Sequence, residues 1–170
     1  MATLKNSFVV LGAALLVTLS SCTWWKSTEN GDQGACAAAA SLVIVNVLDK
    51  KYYDDCHIAH SISVHMEQLE AYALDAANGW DKETTNIVVY CGNYKCSASG
   101  ESAKMLKGLG FKNVWAYEGG IAEWKQLGYP VEGTCSAEVS GFLGDYQKPE
   151  GYTPDEQVVI TAEQLQEKLK

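Results

Sequence analysis

A chain of 170 residues, 47% of them hydrophobic, is long enough to bury one sizeable core and still carry extra segments. Its formal net charge is −8 and it contains no arginine, which argues against nucleic acid as a partner, because phosphates require basic contacts. The acidity otherwise indicates a well-solvated surface.

The first segment reads as an address. Lys5 supplies a positive flank, Phe8 to Leu19 is an apolar stretch of 12, and Leu19-Ser-Ser-Cys22 ends it. Twelve residues are too few to span a bilayer comfortably and suit the core of a signal peptide. The ending resembles a bacterial lipobox, whose cysteine is lipidated and becomes the mature N-terminus. Residues 1–21 are therefore expected to be a lipoprotein signal peptide and Cys22 the lipidation site. The alternative is an ordinary cleaved signal with an incidental cysteine. Acyl chains on Cys22 would hold the protein at a bacterial membrane surface in the cell envelope, facing the periplasm or the exterior. Residues 22–40 are small and polar apart from Trp24 and Trp25, and read as a tether.

The folded part is expected to start at Ser41. Leu42-Val-Ile-Val-Asn-Val47 reads as a buried strand, and Asp49 to Asp55 as a short helix or turn with Tyr52 and Tyr53 facing inward. Cys56, His57 and His60 then cluster in sequence, but their spacing fits no common zinc module, so no metal is expected. His60 and His65 read as surface or loop residues. Ile62 to Val64 is a short strand, and Met66 to Ala77 a helix with Leu69, Tyr72, Ala73 and Ala76 on one face, ended by Asn78-Gly79.

The next stretch organises the rest. Ile87 to Tyr90 is an apolar strand, Cys91-Gly-Asn-Tyr-Lys-Cys96 a turn, and the run to Leu109 an amphipathic helix. Ser97 and Ser99 are both N-cap candidates, and Gly110 is placed to end the helix. Backbone N–H groups of Gly92, Asn93, Tyr94, Lys95 and Ser97 would converge on the turn's centre, next to a helix N-terminus. A thiol at Cys91 should ionise more easily there than a free one, and so act as a nucleophile. The competing reading is a buried, inert cysteine at a strand end.

This stretch resembles the rhodanese family, in which a strand ends in a persulfide-forming cysteine, a six-residue loop follows and a Ser-Ala helix begins. Here the six residues run from Cys91 to Cys96, followed by Ser97-Ala98. The resemblance continues through Leu109-Gly-Phe-Lys-Asn-Val-Trp-Ala-Tyr-Glu-Gly-Gly-Ile-Ala-Glu-Trp124 and Leu127-Gly-Tyr-Pro-Val131. It implies an α/β fold over residues 41–133: a three-layer domain with a central, mainly parallel sheet and helices on both faces. It further implies a sulfurtransferase without cofactor, moving sulfur from thiosulfate or polysulfide through a Cys91 persulfide to a thiol or cyanide acceptor.

Several residues depart from the family pattern. Asn46-Val47-Leu48 stands where the family has Asp-Val-Arg, and Cys56-His57-Ile58-Ala59-His60-Ser61 where it has Gly-His-Ile-Pro-Gly-Ala. His57 thereby matches a position with a structural role. Cys96 stands where many members carry an arginine that holds an anionic donor, and Lys95 beside it is a candidate substitute. The related phosphatases use a longer loop and need an arginine, so phosphatase activity is not expected.

Residues 134–156, rich in Gly, Ser, Pro and acids, read as an extended linker. Residues 157–170 then read as a strand and a helix, with Thr161 and Gln164 forming a capping box. This pair resembles the strand and helix with which rhodanese domains usually begin. It is expected to pack back on the domain, the alternatives being a flexible tail or a swapped dimer. Cys36 and Cys135 flank the domain and, in an oxidising compartment, form the candidate disulfide. Three functional readings stay open: a sulfurtransferase, an envelope thiol redox protein that closes a Cys91–Cys96 disulfide, and an inactive binding module.

Overall fold

The computed structural model describes residues 41–170 apart from 138, 145, 146 and 156. The expectations for the signal peptide, the tether, Cys22 and Cys36 lie outside the described residues. In chain order the elements are β1 (Leu42–Asn46), α1 (Lys50–Asp55), β2 (His57–Ile58), β3 (Ile62–Ser63), α2 (Met66–Leu74), β4 (Asn86–Tyr90), α3 (Ala98–Gly108), β5 (Asn113–Tyr117), α4 (Gly120–Gln126), β6 (Val131–Glu132) and α5 (Ala162–Lys168).

Branched aliphatic residues on β1 and β4 make the centre of a parallel sheet of order β3-β1-β4-β5. Both faces of these strands are covered, which is why their sequences are apolar without alternation. The pleat divides them. Ile87, Val89 and Cys91 pack with Leu69 and Ala73 of α2 and Ala103 and Leu106 of α3. Val88 and Tyr90 face the other way, onto Ile121 and Trp124 of α4 and Leu165 of α5. The result is the expected three layers, and the period of two sends Cys91 toward α3.

The helix expected from Met66 to Ala77 is interrupted. α2 stops at Leu74, and Asp75, whose carboxylate accepts from the Ala77 N–H, opens a separate 3-10 turn over Ala76–Asn78. His65, expected as a loop residue, caps α2 by accepting from the Glu67 N–H.

The C-terminal residues lie along the edge of β5. The Ala116 N–H donates to Val158 O at 2.7 Å and the Ile160 N–H to Ala116 O at 3.0 Å, which makes a single parallel bridge rather than a full strand. The capping box on Thr161 and Gln164 opens α5, and Ile160, Ala162 and Leu165 are buried.

Residues 134–156 are not a simple extended linker. The disulfide joins Cys135 to Cys56, with Cα atoms 4.5 Å apart, so Cys135 does not pair with Cys36. Gly133 makes the approach feasible: at φ +103° its backbone comes so close to α1 that a Cβ would stand 2.2 Å from Asp55 O. Beyond it the Cys135 N–H donates to Asp55 O at 2.8 Å, and the Thr134 hydroxyl and Ser136 N–H donate to Asp55 Oδ1 at 2.8 and 3.0 Å. A 3-10 turn over Gly141–Gly144 follows, with Leu143 buried against the α4 side of the sheet.

Candidate functional site

β4 delivers Cys91 to the carboxyl edge of the sheet, and the chain turns there through Cys96 into α3. Two bonds tighten the turn: the Cys96 N–H donates to Asn93 O at 3.0 Å and the Lys95 N–H to Asn93 Oδ1 at 3.0 Å. The double glycine of Glu118-Gly-Gly-Ile seats α4 beneath it. The Ile121 N–H donates to Cys91 O and the Ala122 N–H to Gly92 O, both at 3.0 Å. Gly120 permits this contact, since at φ +60° a Cβ would lie 2.5 Å from Cys91 O.

The thiol of Cys91 is fully buried. Its sulfur lies 3.3 Å from the carbonyl oxygen of Cys96, to which it can donate, and 3.4 Å from the Ser99 hydroxyl. Ser99 is therefore no cap: it sits inside α3 with its hydroxyl turned to the thiol, while Ser97 holds the N-cap position without a side-chain bond. Tyr94 points away from the thiols, donating to the Glu123 carboxylate at 3.2 Å and packing edge-on against Tyr152.

A hollow of about 290 Å³ opens over the loop. Leu48, Tyr52 and Phe142 wall it, Gly92 and Asn93 form its floor, and Lys95 and Cys96 stand at its side. Cys96, half-buried, meets the hollow, whereas Cys91 lies beneath. Phe142 comes from the segment expected to be a linker. The Asn93 Nδ2–H donates to its carbonyl at 3.2 Å, and a Cβ on Gly92 would meet its ring at 3.1 Å. Leu48 and Cys96, both in positions where the family carries arginine, thus face one space with Tyr52.

The ionisation order differs from the expectation that Cys91 gives up its proton readily. The two thiols share a hydrogen bond, and burial and the neighbouring sulfur add to it, so Cys91 is pushed well above the usual thiol range. Cys96 is lowered to about 6, first by the hydrogen bond from Cys91, then by N–H groups of Ala98 and Gly92, against the opposing effect of burial. The proton of the pair is thus held toward Cys91, and the amides of Gly92 and Ala98 serve Cys96.

His57 is held in place by structural contacts. Its Nδ1–H donates to Tyr53 O at 2.7 Å, its Nε2 lies 3.2 Å from Glu132, and its ring stacks on Tyr53. Among the described residues no three His, Cys, Asp or Glu side chains cluster as a metal site would require.

Sequence reasoning placed the loop but missed Phe142, Tyr52 and the role of Ser99. A signal existed for Ser99, whose position two residues after Ser97 lies in the first turn of the helix that starts over the thiol. None existed for Phe142.

The model of the rhodanese-like domain matches residues 32–127. A thiosulfate sulfurtransferase, GlpE, of Coxiella burnetii is 36% identical over 84 residues, 49% of this chain and 72% of that protein. An uncharacterized protein of Synechocystis, slr1261, is 29% identical over 100 residues, 59% of this chain and 52% of its own length. The crystal structure of BH2092 from Bacillus halodurans is 28% identical, covers 58% of this chain and 68% of its own, and superposes with a TM-score of 0.47. The family match spans more than half of the chain and contains the whole Cys91–Cys96 loop, and the protein belongs to the rhodanese-like family.

Proposed function

We propose that the protein is a sulfurtransferase whose sulfur is carried on Cys91. Cys91 gives its proton to Cys96 and attacks the sulfane sulfur of a donor, the donor's remaining fragment leaves with the bonding electron pair, and a persulfide stays on Cys91. A thiol acceptor then attacks the outer sulfur and regenerates the cysteine. The observation that supports this most directly is the seat of Cys91 at the mouth of β4, with Ser99 Oγ 3.4 Å from its sulfur and α4 fixing its carbonyl.

The hollow bears on the donor. Leu48, Tyr52 and Phe142 are apolar walls, and Lys95 brings the positive charge. A monoanionic donor with an organic or polysulfur tail suits such walls better than thiosulfate, a compact dianion with a large desolvation cost. The rates of sulfite release from thiosulfate and of sulfinate release from an arene thiosulfonate, each donor supplied alone, test this: a faster reaction with thiosulfate overturns it. Uptake of about 32 Da by Cys96→Ser that vanishes when Cys91→Ser is added supports the carrier, and its persistence in the double variant overturns it.

We further propose, from the sequence around Cys22, that this cysteine is acylated and holds the chain at a membrane. Detergent-phase partition of the full chain against Cys22→Ala tests it; equal partition of the two refutes the anchor.

A further inference from the structure

We infer that Cys96 resolves the persulfide formed on Cys91: it attacks the inner sulfur of the persulfide, expels hydrosulfide and closes a Cys91–Cys96 disulfide. This rests on the sulfurtransferase reading and adds what becomes of the sulfur.

Three observations carry it. The Cys91 sulfur is 3.3 Å from the Cys96 carbonyl oxygen, so the two cysteines meet within one turn before any reaction. Cys91 is fully buried and does not line the hollow, whereas Cys96 is half-buried and does. An attacker already in place is favoured over a diffusing one by its effective concentration. Third, the position where family members carry an arginine is here a thiol, and the backbone N–H groups of Ala98 and Gly92 favour its thiolate. That puts a nucleophile beside the persulfide instead of a counter-charge for it.

The step balances without an outside oxidant. Cys91–S–SH and Cys96–S⁻ give Cys91–S–S–Cys96 and HS⁻. The bond between the two persulfide sulfurs breaks, its electron pair leaves with the outer sulfur, and the proton travels with it. The sulfane sulfur is reduced to sulfide while two cysteines are oxidised. Turnover then requires a dithiol reductant, which exchanges with the disulfide and returns both thiols. The partner implied is therefore a thiol–disulfide reductase surface rather than a metabolite that carries sulfur away.

The test uses the full chain and benzenethiosulfonate, whose leaving group is a sulfinate, so that any sulfide must come from the persulfide. The wild type is expected to release about one sulfide per chain and to lose about 2 Da, with the new disulfide located at Cys91–Cys96 by peptide mass after alkylation. Cys96→Ser and Cys96→Ala are expected to gain about 32 Da and to release sulfide at background level. A wild type that keeps the added sulfur, as stably as the Cys96 variants, overturns the inference and leaves the sulfurtransferase standing. Cys96 variants that melt normally yet take up no sulfur overturn the sulfurtransferase reading itself. Should both variants fail to fold, the wild-type measurement decides alone: disulfide with sulfide supports the step, retained sulfur refutes it.

Discussion

The two cysteine pairs in the described part of the chain are built for opposite purposes. Cys56 and Cys135 are 79 residues apart in sequence and closed as a disulfide. They are held by neighbours that fix backbone, Gly133 and Asp55 above all, and closing so long a loop takes much entropy from the unfolded chain. Cys91 and Cys96 lie in one turn and are free thiols. A bond there would close a short loop and stabilise little, but the pair is unequal in burial and acidity, and that inequality is what thiol chemistry uses. Distance along the chain favours a staple; asymmetry in one turn favours a reaction.

The comparison is broken most completely by Cys91→Ser. Followed in Cys96→Ser chains, sulfur uptake is expected to fall to background with the melting temperature nearly unchanged, measured by intact mass and calorimetry; uptake undiminished by the Cys91 change would place the carrier elsewhere. Cys135→Ser should do the reverse, costing ~2–5 kcal/mol of stability in denaturant titration while leaving sulfur uptake intact well below the transition. Cys56→Ser should match it, and the double variant should cost no more than either, since both changes remove one bond.

Gly120→Ala lies between the two cases. It forces a side chain into the positive-φ region and against Cys91 O, so ~1–3 kcal/mol of stability should go, and sulfur uptake should slow because the loop backbone has to move. A silent Gly120→Ala would mean that α4 does not set the loop. The smallest effect sharpens the chemical half. Cys96, with its acidity raised chiefly by the Cys91 hydrogen bond, should alkylate with a midpoint at about 6. The thiolate is the reactive form, so the rate falls by about tenfold for each pH unit below the midpoint and levels off above it. Cys91→Ala deletes that hydrogen bond and should move the midpoint upward; iodoacetamide kinetics followed by peptide mass would show it, and an unmoved midpoint would discount the coupling.

Much of the centre of the fold was legible because it rests on local rules. Apolar runs of strand length gave β1 and β4, and the loop between Tyr90 and Ala98 followed from where the apolar period changes. The double glycine was visible as a pattern, although its purpose, room for α4 against Cys91, needed coordinates. What stayed hidden depends on distance in space. Cys135 was matched with Cys36 by reasoning along the chain, whereas the antiparallel pairing of β2 with β6 brings the region after β6 to Cys56. Phe142 lies in a segment whose composition reads as linker, and nothing in that composition shows that its carbonyl meets Asn93. The ionisation order was hidden as well. Sequence places two thiols in one turn, but which sulfur receives the N–H groups of Gly92 and Ala98 is a matter of side-chain direction.

The staple also has a consequence for the hollow it does not line. Cys135 is anchored to α1 only seven residues before Phe142, the wall that rests on Gly92. Oxidation of Cys56 and Cys135 thus shortens the leash on that wall, and reduction lengthens it, leaving the Asp55 hydrogen bonds to hold the segment. A chain kept reduced would carry the same loop and the same two thiols under a looser roof. The access that a donor has to the Cys91 loop then answers to the redox history of a bond on another part of the fold, after synthesis is finished.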